Sequence, residues 1–331
     1  MDEHKIGIVG GAGYIGSSLA RHLSKAFRVK ILDMRTPPSD LEGKVDYEIC
    51  DVREFQDVEG CLKDVSLVIN SAIIQIPLIN EERRMGYEVN IVGTQNVCRV
   101  VHETPSIRGM ILTGSWHVFG ERGLRGVIDE EFGFRPDRVE DRARLYTLSK
   151  LAQETIVKLH DEMSEKVFGV IRMGTVLGEG MPEKTAANIF MSRGLEGQTL
   201  TPYKHSMYRP MLYVDVKDVC RGFESFAKKI LGEARGKGDL PHVFNITYPQ
   251  PITVIELAHM VRDAIVKYSK GALRPEIEVV DTGKPELFTP RDKDAIKIDV
   301  SRAVKFLDLG RLTSPRESIE DLIEGRIKQR G

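Results

Sequence analysis

The run Tyr146-Thr147-Leu148-Ser149-Lys150 puts a phenol and an ammonium four residues apart, a spacing that sets both on one face of a helix. Upstream, the apolar stretch Gly109 to Thr113 reads as a strand, and the segment GMILTGS carries it on to Ser115. In a parallel sheet, residues just past the carboxyl ends of strands line the ligand crevice. Ser115 is therefore expected to meet Tyr146 there. A hydroxyl, a phenol and a lysine beside a nicotinamide ring make a hydride-transfer site in which Tyr146 removes an alcohol proton. Lys150 and the positive ring are expected to lower the phenol from its ordinary value of about 10. Tyr213 and Lys217 repeat the spacing, but Tyr213 falls in the strand-like run MLYVDV, where four residues span ~13 Å. No working pair is expected from them.

A second constellation precedes this one. The apolar run Lys5 to Val9 leads into Gly10, Gly13 and Gly16 and then an amphipathic stretch. Glycines so spaced allow a tight turn, close approach of backbone to a pyrophosphate and close packing of helix on strand, with the helix N-terminus facing the negative charge. Asp33 ends the next apolar run, 17 residues beyond Gly16. A carboxylate there accepts hydrogen bonds from an adenosine ribose and repels a 2′-phosphate, which points to NAD rather than NADP.

The elements that must hold these groups follow the same pattern. Short apolar runs alternate with amphipathic stretches, as in βαβ units around a buried parallel sheet. Strands are expected at Lys5 to Val9, Val29 to Leu32, Val45 to Cys50, Leu67 to Asn70, Gly109 to Thr113 and Val167 to Ile171. The expected helices are Tyr14 to Lys25, Val58 to Leu62, Arg84 to His102 and Thr147 to Met163. Later come a strand at Met211 to Val216, a helix at Val219 to Ile230 and a solvated loop at Gly232 to Pro241. The fold class is α/β, a Rossmann-type doubly wound parallel sheet over residues 1–172, with 211–247 returning to it. Residues 173–331 are expected to form a smaller α/β substrate domain.

Composition bounds the partners. A net charge of -1 over 331 residues gives no basic field for nucleic acid or anionic membrane. No stretch reaches the ~18 unbroken apolar residues of a spanning helix, and the N-terminus lacks signal-peptide character. The four cysteines form no CxxC pair, so neither a metal site nor a disulfide framework is expected. A cytoplasmic protein fits this pattern.

Taken together, Gly10-x-x-Gly13-x-x-Gly16, Asp33, Asp51-Val52, Asn70-Ser71-Ala72, Asn90, Ser115 and Tyr146-x-x-x-Lys150 resemble the extended short-chain dehydrogenase/reductase family, in its nucleotide-sugar epimerase and dehydratase branch. The resemblance implies that Tyr14 and Ile15 contact the pyrophosphate and that Asp51 and Val52 flank the adenine. It also implies that Ala72 sits near the nicotinamide ribose and that Asn90 supports the site from its helix. It further implies a substrate grip by Arg209 and Arg291, two guanidiniums suited to a diphosphate, and a homodimer built on the Arg84 to His102 and Thr147 to Met163 helices.

The chain departs from the pattern where substrate is read. Thr175 stands at the usual substrate-contacting Asn, and Pro210 replaces the Asp after Arg209. Ser115-Trp116-His117 replaces the Thr-Asp-Glu of 4,6-dehydratases, which argues against water elimination. Side chains alternate along an extended segment, so only one of Trp116 and His117 is expected to share the face of Ser115, and His117 is the better candidate. The expected function is 4-epimerisation of a UDP-hexose with retained NAD. The rival is net alcohol oxidation, as in L-threonine or hydroxysteroid dehydrogenases, and a non-catalytic NAD sensor is a third class.

Overall fold

The computed structural model describes residues 4–232 and 237–330. Seven strands build the main sheet: β1 (Lys5–Val9), β2 (Arg28–Asp33), β3 (Asp46–Ile49), β4 (Leu67–Asn70), β5 (Gly109–Ser115), β6 (Val167–Met173) and β7 (Val243–Ile246). They lie in the order β7-β6-β5-β4-β1-β2-β3, and every neighbouring pair is parallel. This is the Rossmann-like order with a seventh strand added at one edge. Continuous apolar runs suit such a sheet because both faces are covered. Alternation along β4 and β5 sends Leu67, Ile69 and Ile111 into one core layer and Val68, Met110 and Leu112 into the other.

The parallel register aligns the chemistry-bearing strand ends. Val9 pairs with both Leu32 and Asn70, Asn70 pairs with Leu112, and Ser115 pairs with Met173. The glycine turn, Asp33, the Asn70–Ala72 segment and Ser115 therefore emerge on one edge of the sheet. Strand order reverses between β1 and β4, and a crevice opens at such a switch point.

Two expected elements are divided. The Arg84 to His102 helix runs as Arg83–Tyr87, a π-helical turn at Glu88–Val92 and a helix at Gly93–Glu103. The buried Asn90 lies in that turn and bonds outside the helix, a use to which π turns are often put. The expected strand Met211 to Val216 does not join the main sheet. Its residues form Pro210–Met211, antiparallel to Ile252–Thr253, and Tyr213–Asp215, parallel to Thr175–Leu177, with the helix Val216–Leu231 starting at once. Asp215 caps that helix by accepting the Lys217 N–H at 2.7 Å.

The smaller C-terminal α/β part holds the helices Ala186–Leu195, Val254–Tyr268 and Pro315–Arg330. The second starts in a capping box, Thr253 with Glu256. Of the expected loop at Gly232 to Pro241, residues 233–236 lie outside the described residues. Among the described residues, no helix is long and apolar enough to cross a membrane. No group of three or more His, Cys, Asp or Glu among them could hold a metal ion.

Candidate active site

A cavity of about 1500 Å³ runs along the carboxyl edge of the sheet and into the smaller part. Its first lobe is the glycine turn. Gly10 has φ +75°, and a Cβ there would sit 2.5 Å from Ala72 N; one on Gly16 would sit 2.4 Å from Gly10 O. Any side chain at either position would displace backbone. Gly16 itself stays behind the wall, while Gly10, Gly13, Tyr14 and Ile15 line it. The helix Tyr14–Leu23 has no acid in its first turn, so its free N–H groups face the lobe without a competing charge.

Asp33 is buried at the end of β2 and also lines this lobe, as do Asp51, Val52 and Ala72. Its Oδ2 accepts the Ala12 N–H at 3.0 Å and its Oδ1 the Arg35 N–H at 2.9 Å. Asp51 is paired with Arg53, whose Nε lies 2.9 Å from Oδ1. Asn90 lies outside the lining and acts as a brace. It accepts the Ile74 N–H at 2.7 Å and donates to Ile74 O at 3.1 Å and to Ser149 Oγ at 3.0 Å. One side chain thus ties the segment after β4 to the helix Arg144–Glu162, which carries Tyr146 and Lys150.

The structure brings Ser115, Tyr146 and Lys150 onto the wall of the same cavity. The phenol feels the Ser115 hydroxyl, and Lys150 Nζ donates to the Thr113 carbonyl at 2.7 Å. Burial pushes the Tyr146 phenol up, and the Ser115 hydroxyl only partly offsets it. Burial thus acts against the downward shift expected from Lys150 and the positive ring. Lys150 is itself buried, which pulls its ammonium down to about 7, so it gives the phenol little help in this form of the protein.

Trp116 and His117 both line the cavity, contrary to the alternation expected of an extended segment. The chain turns into a 3-10 helix over Trp116–Phe119 directly after Ser115, and that turn abolishes the alternation. Trp116 Nε1 donates to Thr175 Oγ1 at 3.2 Å, and its ring lies 4.4 Å from that of His117. His117 in turn meets Tyr146 edge-on at 5.5 Å.

Arg209 lines the cavity, yet its guanidinium is committed: Nη1 bonds Glu140, and Nε donates to Met211 Sδ at 3.2 Å. Arg291 is exposed and outside the lining, so the expected two-arginine grip is not assembled. Arg193, Lys184 and Lys284 also line the cavity and bring positive charge to it. Arg193 Nη1 donates to Thr201 at 2.8 Å, and its buried Nε has no partner. Sequence spacing carries no signal for these three, which stand singly on a helix and two loops. The same holds for Arg142, Glu140 and Glu121, which form an ion network beside His117. As expected, Tyr213 and Lys217 make no pair, since Lys217 turns to Asp321 at 3.0 Å.

The model of the NAD dependent epimerase/dehydratase family matches residues 6–246. The chain belongs to this family. Among curated members of similar sequence, sterol-4-alpha-carboxylate 3-dehydrogenase, decarboxylating, from Bos taurus is 27% identical over 181 residues. That match takes in 53% of this chain and 48% of the bovine protein, so the chain spans about half of that relative. The dTDP-L-rhamnose 4-epimerase of Burkholderia thailandensis is 22% identical over 320 residues, covering 84% of each chain. Among solved structures, MoeE5 in complex with UDP-glucuronic acid and NAD superposes with a TM-score of 0.78 at 22% identity, covering 98% of this chain and 99% of that one. This last likeness is one of fold. Within the epimerase/dehydratase family, then, this chain presents a glycine turn, a strand-end Asp and a Ser-Tyr-Lys set on one cavity.

Proposed function

We propose that the protein is an NAD-dependent nucleotide-sugar epimerase that inverts C4 of a UDP-linked hexose through a 4-keto intermediate. The observation that carries this reading is that Ser115, Tyr146 and Lys150 line one cavity together with the glycine turn, Asp33, Arg193 and Lys284. One lobe suits a dinucleotide and the other an anionic substrate. The glycine turn fits the cofactor, because a Cβ at Gly10 or Gly16 would fill the space or shift the backbone that a diphosphate must approach.

NAD, when bound, would accept and return a hydride. Asp33 would hold the adenosine ribose, Asp51 and Val52 the adenine edge, and the N–H groups of Tyr14 and Ile15 the pyrophosphate. Lys150 would bond the nicotinamide ribose, and Ala72 would pack beside it. Tyr146 would take the proton of the sugar hydroxyl and return it after the keto sugar has turned over, with Ser115 hydrogen-bonded to the reacting oxygen. Arg193, with Lys184 and Lys284, would hold the diphosphate of the substrate, and Thr175 would border the sugar.

The test is a panel of UDP-hexoses incubated with the protein and NAD. Interconversion of epimers without accumulation of NADH supports the proposal. NADH formed in proportion to substrate consumed would make the protein a net oxidoreductase, the activity named for the bovine relative.

We also propose a homodimer through the helices Gly93–Glu103 and Arg144–Glu162. The exposed Val92, Leu148, Leu159 and Met163 lie on or beside these helices and give them an apolar face. A monomer in sedimentation equilibrium would contradict this.

A further inference from the structure

Glu121 joins an ion network to the wall that carries Tyr146. Its side chain is wholly buried, and Oε1 lies 3.6 Å from His117 Nε2, 3.6 Å from Arg142 Nη2 and 3.8 Å from Arg209 Nη1. Oε2 accepts the Glu140 N–H at 2.8 Å. Glu140 is fully engaged as well: one oxygen takes Arg209, and the other accepts from Arg142 Nε at 2.9 Å. The His117 ring, which meets Tyr146 edge-on at 5.5 Å, ties this network to the residues assigned to the chemistry.

Two carboxylates thus balance two arginines, and their oxygens are turned to those arginines. His117 adds no charge at neutral pH, because burial pulls its imidazole down to about 4. Asp141 also lines the cavity but is paired with Arg144 at 2.9 Å. Arg122 is left over. It follows Glu121 directly, and the main-chain N–H groups of the two residues both bond Arg138 O, at 2.7 and 2.9 Å. The Arg122 side chain lines the cavity, and its buried Nε has no hydrogen-bond partner. Among the described residues no acid pairs with it. A guanidinium with donors to spare, on a wall whose other charges cancel, selects an anion.

We propose that the substrate sugar is a hexuronic acid and that Arg122 binds the carboxylate on its C5. The inference rests on the reading of this cavity as a sugar site, and narrows it. Arg193, Lys184 and Lys284 are the cations assigned to the diphosphate, so the anion that Arg122 reads belongs to the sugar. A carboxylate on C5 neighbours C4, the carbon that carries the reacting hydroxyl, and Arg122 stands on the segment that leads on from His117, the ring against Tyr146. A sugar with a hydroxymethyl group at C5 offers Arg122 no charge.

Calorimetric titration of the NAD-loaded protein with UDP-glucuronic acid and with UDP-glucose tests this. The acid should bind at least about tenfold tighter. Arg122→Gln should bring the ratio of the two affinities close to one, and Arg122→Lys, which keeps the charge, should retain part of the preference. Equal affinities in the wild type overturn the proposal, as does a ratio that Arg122→Gln leaves unchanged. A weaker hold on UDP itself in Arg122→Gln would assign the arginine to the diphosphate and overturn it too. Free glucuronate and glucose, titrated in parallel, separate the inference from the function reading. A preference for free glucuronate that depends on Arg122, with no UDP-linked sugar bound, keeps the carboxylate site and overturns the nucleotide-sugar reading. Interconversion of UDP-glucose with its epimer, by a protein that binds UDP-glucuronic acid no better, keeps that reading and overturns the carboxylate site.

Discussion

Asp33 Oδ2 accepts the Ala12 N–H at 3.0 Å, so a carboxylate of the cavity wall also ties down the glycine turn. Its second oxygen holds Arg35 through the main-chain N–H at 2.9 Å and loosely through Nε at 3.4 Å. Neutralising Asp33 removes the charge that repels a 2′-phosphate and frees an arginine whose side chain is 71% exposed. Asp33→Asn is therefore expected to weaken NAD and strengthen NADP, moving the ratio of their dissociation constants by at least about tenfold. Titration of both cofactors against the variant measures this, and an unchanged ratio removes Asp33 from the ribose site.

Packing separates Gly16 from Gly60. A Cβ on Gly16 would meet Gly10 O at 2.4 Å and Gly11 Cα at 2.6 Å, whereas one on Gly60 would meet nothing within 4 Å. Gly16→Ala is expected to lose about 2 kcal/mol in urea unfolding and to weaken NAD. Gly60→Ala, in the helix Phe55–Cys61, should gain about 0.5 kcal/mol by restricting the unfolded chain. Equal effects at the two positions would contradict the account of the turn.

The sheet was legible because β1, β4, β5 and β6 are buried on both faces and read as unbroken apolar runs bounded by turn residues. The glycine spacing, Asp33 and the Tyr146–Lys150 helix were legible for the same reason: each is a local pattern within one βα unit. What the sequence concealed depends on distance along the chain. Glu121, Arg142 and Arg209 meet only because three separate segments fold together, and no periodicity links them. Resemblance carried Arg291 over by residue type and said nothing about its loop, which leaves it exposed and outside the cavity lining. The upward push on the Tyr146 phenol was concealed because it comes from burial of that side chain, which composition cannot reveal.

Tyr146 bears most directly on the function. Tyr146→Phe keeps the ring that meets His117 at 5.5 Å and deletes only the hydroxyl. Proton transfer by such a group is worth about 10²–10⁴ in rate. The variant should lose about 10³ in kcat on any active UDP-hexose, while NAD affinity and unfolding midpoint stay within error. Full activity in the variant would assign the chemistry elsewhere and favour a binding role for the fold.

Lys150 makes a pH prediction. Burial lowers its ammonium from 10.5 to about 7 in the folded protein, and the unfolded chain holds that proton up to the higher value. Between these two pH values the unfolded state binds more protons than the folded one, so the stability of the fold rises with pH through that window. Below about 7 both states are protonated and the contribution is flat. Lys150→Met removes the titrating group and the bond to Thr113 while keeping an unbranched side chain. Wild type should therefore gain Tm relative to Lys150→Met as the pH is raised from 7 toward 10.5, with the difference constant at lower pH. Parallel Tm profiles for the two proteins across that window would show that the folded lysine titrates at its ordinary value.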